Sequence, residues 1–469
     1  MSEIDPSAED RKSVGEEVGN LAKQLFPGGI DIAFQPDAIE KMVDETKSAI
    51  SKGGPIYEAT FVKNDMLIRV DLMVKTKHGW NIYEVKSSSK LKDYHYDDAS
   101  FQWYVLSQIS DIELNKAFIV ILNDDFILED QVNVDELFKK EDVTKSVISK
   151  SNDLTDEINL IRETMRLKKK PNIKIGKHCM SPHKCQYKDN CWDTHNKNSV
   201  LNLYRMNSEK KFHFYHSGIK TFEQLPHSYQ LTDIQKKQVL SCRNSQAIID
   251  QVNIDSFLKS ITYPISYLDF ETFQEAVPSY DKQKPYMQMP FQFSLHIQKK
   301  PLGALDHFEH IATPGTDPRP ELAKKLIQSI PEDGTIIAYN QSFEMNCIKT
   351  LAEISKDHKE NLEKLNERFL DLIIPFRKGY YYHPDFNGSF SIKKVLPALC
   401  PNDLNLSYDG LNIKTGSDAS LKYKNISNLN SCDQEILLKD LYNYCKLDTL
   451  AMVKILEHLI LLKKKSDND

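Results

Sequence analysis

The stretch 263–277, YPISYLDFETFQEAV, decides how the second half of this chain is read. Its apolar run ISYLDF has the composition of a strand and ends in acid–aromatic–acid, Asp269-Phe270-Glu271. Successive strand side chains point to opposite faces, so Asp269 and Glu271 share one side of a segment otherwise suited to a core. Two carboxylates crowded in a low-dielectric place repel each other and are costly to desolvate. A divalent cation offsets that cost, provided the chain supplies further ligands.

Two later segments offer them. In GTIIAYNQSFEMNCIKTLAEI (334–354), the run 335–339 reads as a strand and Ser342 as the cap of the following helix. Glu344 then falls in the first helical turn, where the macrodipole favours an acid; taken alone, it reads as an ordinary helix-start glutamate. In LYNYCKLDTLAMV (441–453), Tyr444 and Asp448 stand four apart and share a helix face with Leu441, Ala451 and Met452. For an isolated pair, a buried Tyr–Asp hydrogen bond is the plain alternative.

In order, DFE, NQSFE and YCKLD resemble the three motifs of the DEDD exonucleases, D-x-E, N-x-x-F-D and Y-x-x-x-D. That is the DnaQ-like branch of the RNase H-like fold, in the subgroup whose last motif carries tyrosine. The segments RFLDLIIPFRKGYY (368–381) and SFSIKKVLPAL (389–399) resemble the stretch between the second and third motifs. Glu344 stands where the family usually has Asp, a change of one methylene that keeps the ligand chemistry. The resemblance implies a 3′–5′ exonuclease in which Asp269, Glu271, Glu344 and Asp448 hold two Mg²⁺ or Mn²⁺ ions and Tyr444 orients the attacking water. Two such ions clamp the attacking and leaving oxygens of a phosphodiester, and oxygen donors suit them.

A second acid constellation precedes this one. Strand-like segments IYEATFVKNDMLIRVDLMVKT (56–76) and WNIYEVKSS (80–88) place Asp71 on one strand and Glu84 and Lys86 on one face of the next. Gln102 follows in ASFQWYVLSQI, which reads as a helix, and Glu58 is a further acid. Acid-x-Lys patterns arise by chance on surface strands. The order VDLMV, EVKSS, QWY nevertheless resembles the PD-(D/E)xK nucleases of the RecB-like branch. By that resemblance Asp71 and Glu84 bind metal, Lys86 meets the scissile phosphate or its water, and Gln102 is the glutamine motif. Relatives often carry a metal-binding His in the first helix; GEEVGN offers Gly19 there. A retained fold that grips nucleic acid is the rival to an active first nuclease.

All eight cysteines lie at or beyond Cys179, which suits a reducing cytoplasm better than a disulfide framework. Cys179, Cys185 and Cys191 in GKHCMSPHKCQYKDNCW are six apart, a poor match to zinc ribbons. They resemble the cysteine cluster of RecB-like nucleases, which implies a structural [4Fe–4S] centre. Those nucleases add a fourth cysteine from near the amino terminus, and no cysteine precedes Cys179 here. Substitution by His178, His183 or His195, a preceding segment absent from this sequence, and an empty site all stay open, as does zinc.

The bulk properties bound the rest. A net charge of −6 excludes a generic basic coat for nucleic acid. Basic runs do occur at 165–177 and 461–466; as solvated surface they need no ligand. No run of 18 apolar residues is present, the amino terminus lacks the apolar core of a signal peptide, and neither GxxxxGK[ST] nor GxGxxG occurs. The expected architecture is mixed α/β: a RecB-like, restriction-endonuclease-like domain over 1–150, a cysteine segment closing it over 151–199, a helical spacer over 200–260, and a DnaQ-like domain over 261–469. The expected protein is a cytoplasmic, metal-dependent nuclease acting on single-stranded DNA or RNA, with no membrane partner. A nucleic-acid-binding or scaffold protein with silent sites is the rival, and a small-molecule phosphodiesterase a third reading.

Overall fold

A computed structural model describes residues 6–192, 198–226, 228–401, 403 and 406–466. His195, one candidate for a fourth cluster ligand, lies outside them, as do the side chains of the terminal lysine run. The architecture is mixed α/β, as expected. Two compact units divide the chain: residues 1–173 with 274–287, and residues 174–273 with 288–469.

The first unit is built on a six-stranded sheet in sequential order: β1 (Ile30–Asp31), β2 (Ile56–Lys63), β3 (Met66–Thr76), β4 (Gly79–Val85), β5 (Leu114–Leu122) and β6 (Phe138–Asp142). Strands β2 and β3 form a hairpin because Asn64 and Asp65 both accept positive φ, 50° and 61°, as the tightest hairpin turns require. The helix Asp93–Leu106 crosses from β4 to the parallel β5 and buries Ala99, Trp103 and Leu106 against Ile82 and Ile119. The first helix, Pro6–Ala22, lays Val18 and Ala22 on the other side with Leu72, Tyr83 and Val120.

The second unit opens with short helices and β7 (Ile248–Ile249) and centres on a five-stranded sheet. Its strands are β8 (Ile265–Phe273), β9 (Met289–Gln298), β10 (Leu305–Ile311), β11 (Thr335–Ala338) and β12 (Phe369–Asp371), and β13 (Tyr381–Tyr382) pairs back with β7. The order across the sheet is β10-β9-β8-β11-β12, antiparallel on the β9 side of β8 and parallel on the β11 side. Strand β8 is therefore central and covered on both faces. Leu268 and Phe270 pack with Leu322, Ile348 and Leu351, from the helices Pro318–Ser329 and Ser342–Ile354. Ile265 and Tyr267 face the other way, into a core shared with Ala451, Met452 and Leu456 of the terminal helix Ser431–Ser466. The period of two carries Asp269 and Glu271 onto this second face.

No helix among the described residues is long and apolar enough to cross a membrane.

Candidate metal centre

The carboxyl ends of parallel strands are where open α/β sheets place their ligands, and here three of them deliver acids. Strand β8 presents Asp269 and Glu271, opposite Ser294 and Gln292 of β9, with an irregularity in pairing directly after Glu271. Strand β11 ends at Ala338, and the chain turns through Asn340 at φ 79° into the helix carrying Glu344. Strand β12 ends on Asp371, whose Oδ1 accepts the backbone N–H groups of Asn340 (2.9 Å) and Ile373 (3.1 Å) and so ties the β11 turn to β12. The expectation that Ser342 caps this helix is corrected. Gln341 already has helical dihedrals and stands at the cap without a side-chain bond, because the positive-φ residue Asn340 starts the helix one position earlier. Glu344 keeps its place in the first turn.

The terminal helix closes the group. Tyr444, Cys445 and Asp448 are all buried on its inward face. The Tyr408 hydroxyl donates to Asp448 Oδ1 at 2.5 Å. Lys393 Nζ donates to the Tyr444 hydroxyl at 3.2 Å and lies over the rings of Tyr408 and Tyr444, 4.9 and 5.1 Å from their centroids. Gly416 brings backbone against the acids; a Cβ there would stand 3.3 Å from Glu271 Oε2.

This electrostatic setting is unfavourable without a cation. Burial raises the Asp269 carboxyl well above the usual range, and the charges of Asp448, Glu271 and Glu344 raise it further. Burial and Asp448 do the same to Glu271, with Lys393 opposing. Burial pushes Glu344 up to about 8 and Asp448 to about 6, the latter despite hydrogen bonds from Tyr408 and Tyr444. Glu344 Oε2 is buried without a hydrogen-bond partner. Among the described residues, one ligand atom each of Asp269, Glu271 and Cys445 come within 4.8 Å of one another. Four carboxylates, one of them with an orphaned buried oxygen, form a donor set that fits a hard divalent ion.

The first unit assembles its own acids. The Val85 N–H donates to Asp71 Oδ2 at 2.7 Å, and Lys86 Nζ pairs with Glu84 Oε1 at 2.7 Å and with Asp98. Gln102 Nε2 donates to Glu84 Oε2. Burial and the nearby Glu84 raise Asp71 well above its normal range. Burial disfavours the Lys86 ammonium, yet Glu84 and Asp98 outweigh it and raise its pKa. Glu58, at φ 58° within β2, stands opposite Asp71, between the Tyr57–Leu72 and Ala59–Val70 pairs. A cavity of about 270 Å³ in front of Asp71 and Glu58 is lined by Gly15 and Gly19 of the first helix.

Cys179, Cys185 and Cys191 belong to the second unit and are free thiols, Cys179 buried and the others partly exposed. They do not reach the mutual closeness of the Asp269 group. Lys393, Tyr408, Cys445 and Asp371 escaped the sequence reading as site residues. Lys393 and Cys445 lie inside stretches quoted for other features, and Tyr408 sits between helices without a pattern to mark it.

A family model described as a domain of unknown function (DUF2779) matches residues 266–391, which include Asp269, Glu271, Glu344 and Asp371. The uncharacterized protein UU173 of Ureaplasma parvum is 27% identical over 234 residues, 45% of this chain and 33% of the relative. The uncharacterized protein MG366 of Mycoplasma genitalium is 26% identical over 219 residues, 43% of this chain and 32% of the relative. The chain thus spans about a third of the length of the curated relatives it matches. No solved structure matches it.

Proposed function

We propose that this protein is a metal-dependent nuclease whose second unit removes nucleotides from the 3′ end of single-stranded DNA or RNA. One observation carries the reading: Asp269, Glu271, Glu344 and Asp448, distant in the chain, share one buried electrostatic centre with Tyr444. When bound there, a pair of Mg²⁺- or Mn²⁺-class ions supplies Lewis-acid activation and neutralises charge developing on the phosphoryl oxygens. The four carboxylates would hold the ions, and Asp269 feels the charge of the other three. Tyr444 is the residue to orient an attacking water, and Lys393, 3.2 Å from its hydroxyl, sets the hydrogen-bonding of that phenol. Lys393 also supplies an ammonium among these acids, placed to favour a phosphate.

A second site of the PD-(D/E)xK type in the first unit is part of the reading; the bonded Glu84–Lys86–Gln102 group and the neighbouring Asp71, which with Glu58 lines a cavity, support it. A structural iron–sulfur or zinc centre on Cys179, Cys185 and Cys191 is part of the same proposal; iron and zinc analysis of anaerobically purified protein checks it. The rival is a binding or scaffold protein with silent sites.

The test uses end-labelled single strands with Mg²⁺ or Mn²⁺ and the Asp269→Ala protein. Stepwise 3′ shortening is expected for the wild type and is lost, by at least about 10³-fold, in the variant. Shortening that survives the substitution refutes the assignment. Loss of all cleavage in Lys86→Ala, with Asp269 intact, transfers the activity to the first unit. Equal turnover of dinucleotides and polymers points to a small-molecule phosphodiesterase.

A further inference from the structure

The carboxylates leave a buried nucleophile of the second unit's centre without a task. Cys445 follows Tyr444 on the terminal helix and is fully buried. Its Sγ lies 3.5 Å from Asp269 Oδ2, and it completes the one close trio of ligand atoms among the described residues. A buried cysteine in an ordinary core behaves as a small hydrophobe with carbon neighbours. This one faces a carboxylate pair, beside a further acid, Glu344, that has a buried oxygen without a partner. Around a cation, the same closeness becomes coordination.

We infer that Cys445 is a ligand of this centre, and that its sulfur biases the centre toward thiophilic divalent ions such as Mn²⁺, Co²⁺, Zn²⁺ and Cd²⁺ over Mg²⁺. The inference rests on the nuclease reading above and deepens it. Magnesium gains little from sulfur, whereas later first-row ions and cadmium gain a strong bond. On binding, the S–H bond breaks as the metal–sulfur bond forms. The proton leaves to solvent and no oxidant or reductant takes part. The competing account keeps the thiol protonated, a weak donor to Asp269 Oδ2 with no metal contact.

Titration of the metal-free full-length protein with Co²⁺ separates the two. A thiolate-to-Co²⁺ charge-transfer band is expected in the wild type, and excess Mn²⁺ bleaches part of it. That displaceable part excludes any Co²⁺ held by Cys179, Cys185 and Cys191, because thiolates alone favour Co²⁺ too strongly over Mn²⁺ to release it. It is absent from Cys445→Ser, whose Cd²⁺ affinity at the centre falls by about tenfold or more while Mg²⁺ affinity stays within about twofold. Displaceable Co²⁺ without a thiolate band, or a band unchanged in Cys445→Ser, overturns the inference and leaves the nuclease reading standing. Divalent binding unaffected by Asp269→Asn instead removes the nuclease reading itself. If Cys445→Ser does not fold, the wild type and Asp269→Asn decide alone. A displaceable thiolate band lost with Asp269 upholds the ligand, and its absence from the wild type rejects it.

Discussion

Glu344 shows at the scale of one side chain what the centre costs. Its carboxyl is buried, pushed up to about 8, and has an oxygen with no partner. In the unfolded chain the same group titrates near its ordinary value, so between there and about 8 the folded state binds more protons. Linkage then makes stability fall as pH rises through that window. Burial gives Asp269, Glu271 and Asp448 the same sign. The metal-stripped protein is therefore expected to lose melting temperature steadily from about pH 5 to pH 8, and saturating Mn²⁺ to flatten that profile. Differential scanning calorimetry across pH, with and without Mn²⁺, measures it. A metal-free profile that rises over this range contradicts the raised carboxyls. Glu344→Gln removes one contributor, so its metal-free form should resist alkali better than the wild type while binding Mn²⁺ more weakly.

At the scale of elements, the centre depends on how β8, β11 and the terminal helix are held. Gly334 directly precedes β11 at φ 90°, and a Cβ there would meet the carbonyl oxygen of Pro264, directly before β8, at 1.9 Å. Neither backbone can yield without shifting the parallel pair. Gly334→Ala should lower stability by more than about 2 kcal/mol, from φ strain and the clash together; urea unfolding reads this out. The terminal helix is pinned from behind by Thr449, next to Asp448. Its Oγ1 meets Ser294 Oγ and His296 Nδ1, both at 2.8 Å and all three buried. Thr449→Val keeps the shape but takes from buried His296 Nδ1 its partner, while Ser294 Oγ retains His307 Nε2 at 3.0 Å, at a cost of about 1–3 kcal/mol. Its effect on turnover should appear in kcat, through a shifted Asp448, more than in KM. The alternation of β8 and the four-residue step of Tyr444 and Asp448 were legible in the sequence because each is a local period. The start of the Glu344 helix was legible only to within one residue, since Asn340 rather than a capping hydroxyl sets it. Lys393 and Tyr408 carry no periodic mark: they join the centre through tertiary packing, to which residue spacing is blind, whereas Cys445 stands three before Asp448 on the same helix and shares its face.

At the scale of the whole molecule, the path of the chain departs most from a linear division into domains. Residues 274–287, inserted between β8 and β9 of the second unit, belong to the first. There Ala276 is buried with Val120 and Leu122, the backbones of Lys282 and Gln283 pair with Leu128, and the Tyr286 hydroxyl donates to the Ser87 carbonyl, next to Lys86. In sequence, QEAVPSYDKQKPYM is polar with a few apolar residues, and composition does not say which core those residues enter. The excursion begins and ends at one place, because Phe273 of β8 pairs with Met289 of β9 and Thr272 Oγ1 bonds Gln288 Oε1. Ends so close can be joined by a tight hairpin turn of a few residues. A chain of residues 174–469 with the native loop would leave Ala276, Val277 and Tyr286 without the surface that covers them. It should associate at micromolar concentration. The same chain with 274–287 replaced by a short Asn-Gly turn should be monomeric in size-exclusion chromatography and keep its far-ultraviolet circular dichroism. It should also retain the Asp269-dependent shortening of single strands, because every residue of that centre lies outside the excised loop. A monomeric, folded but inactive product would mean that the second unit's chemistry needs the first.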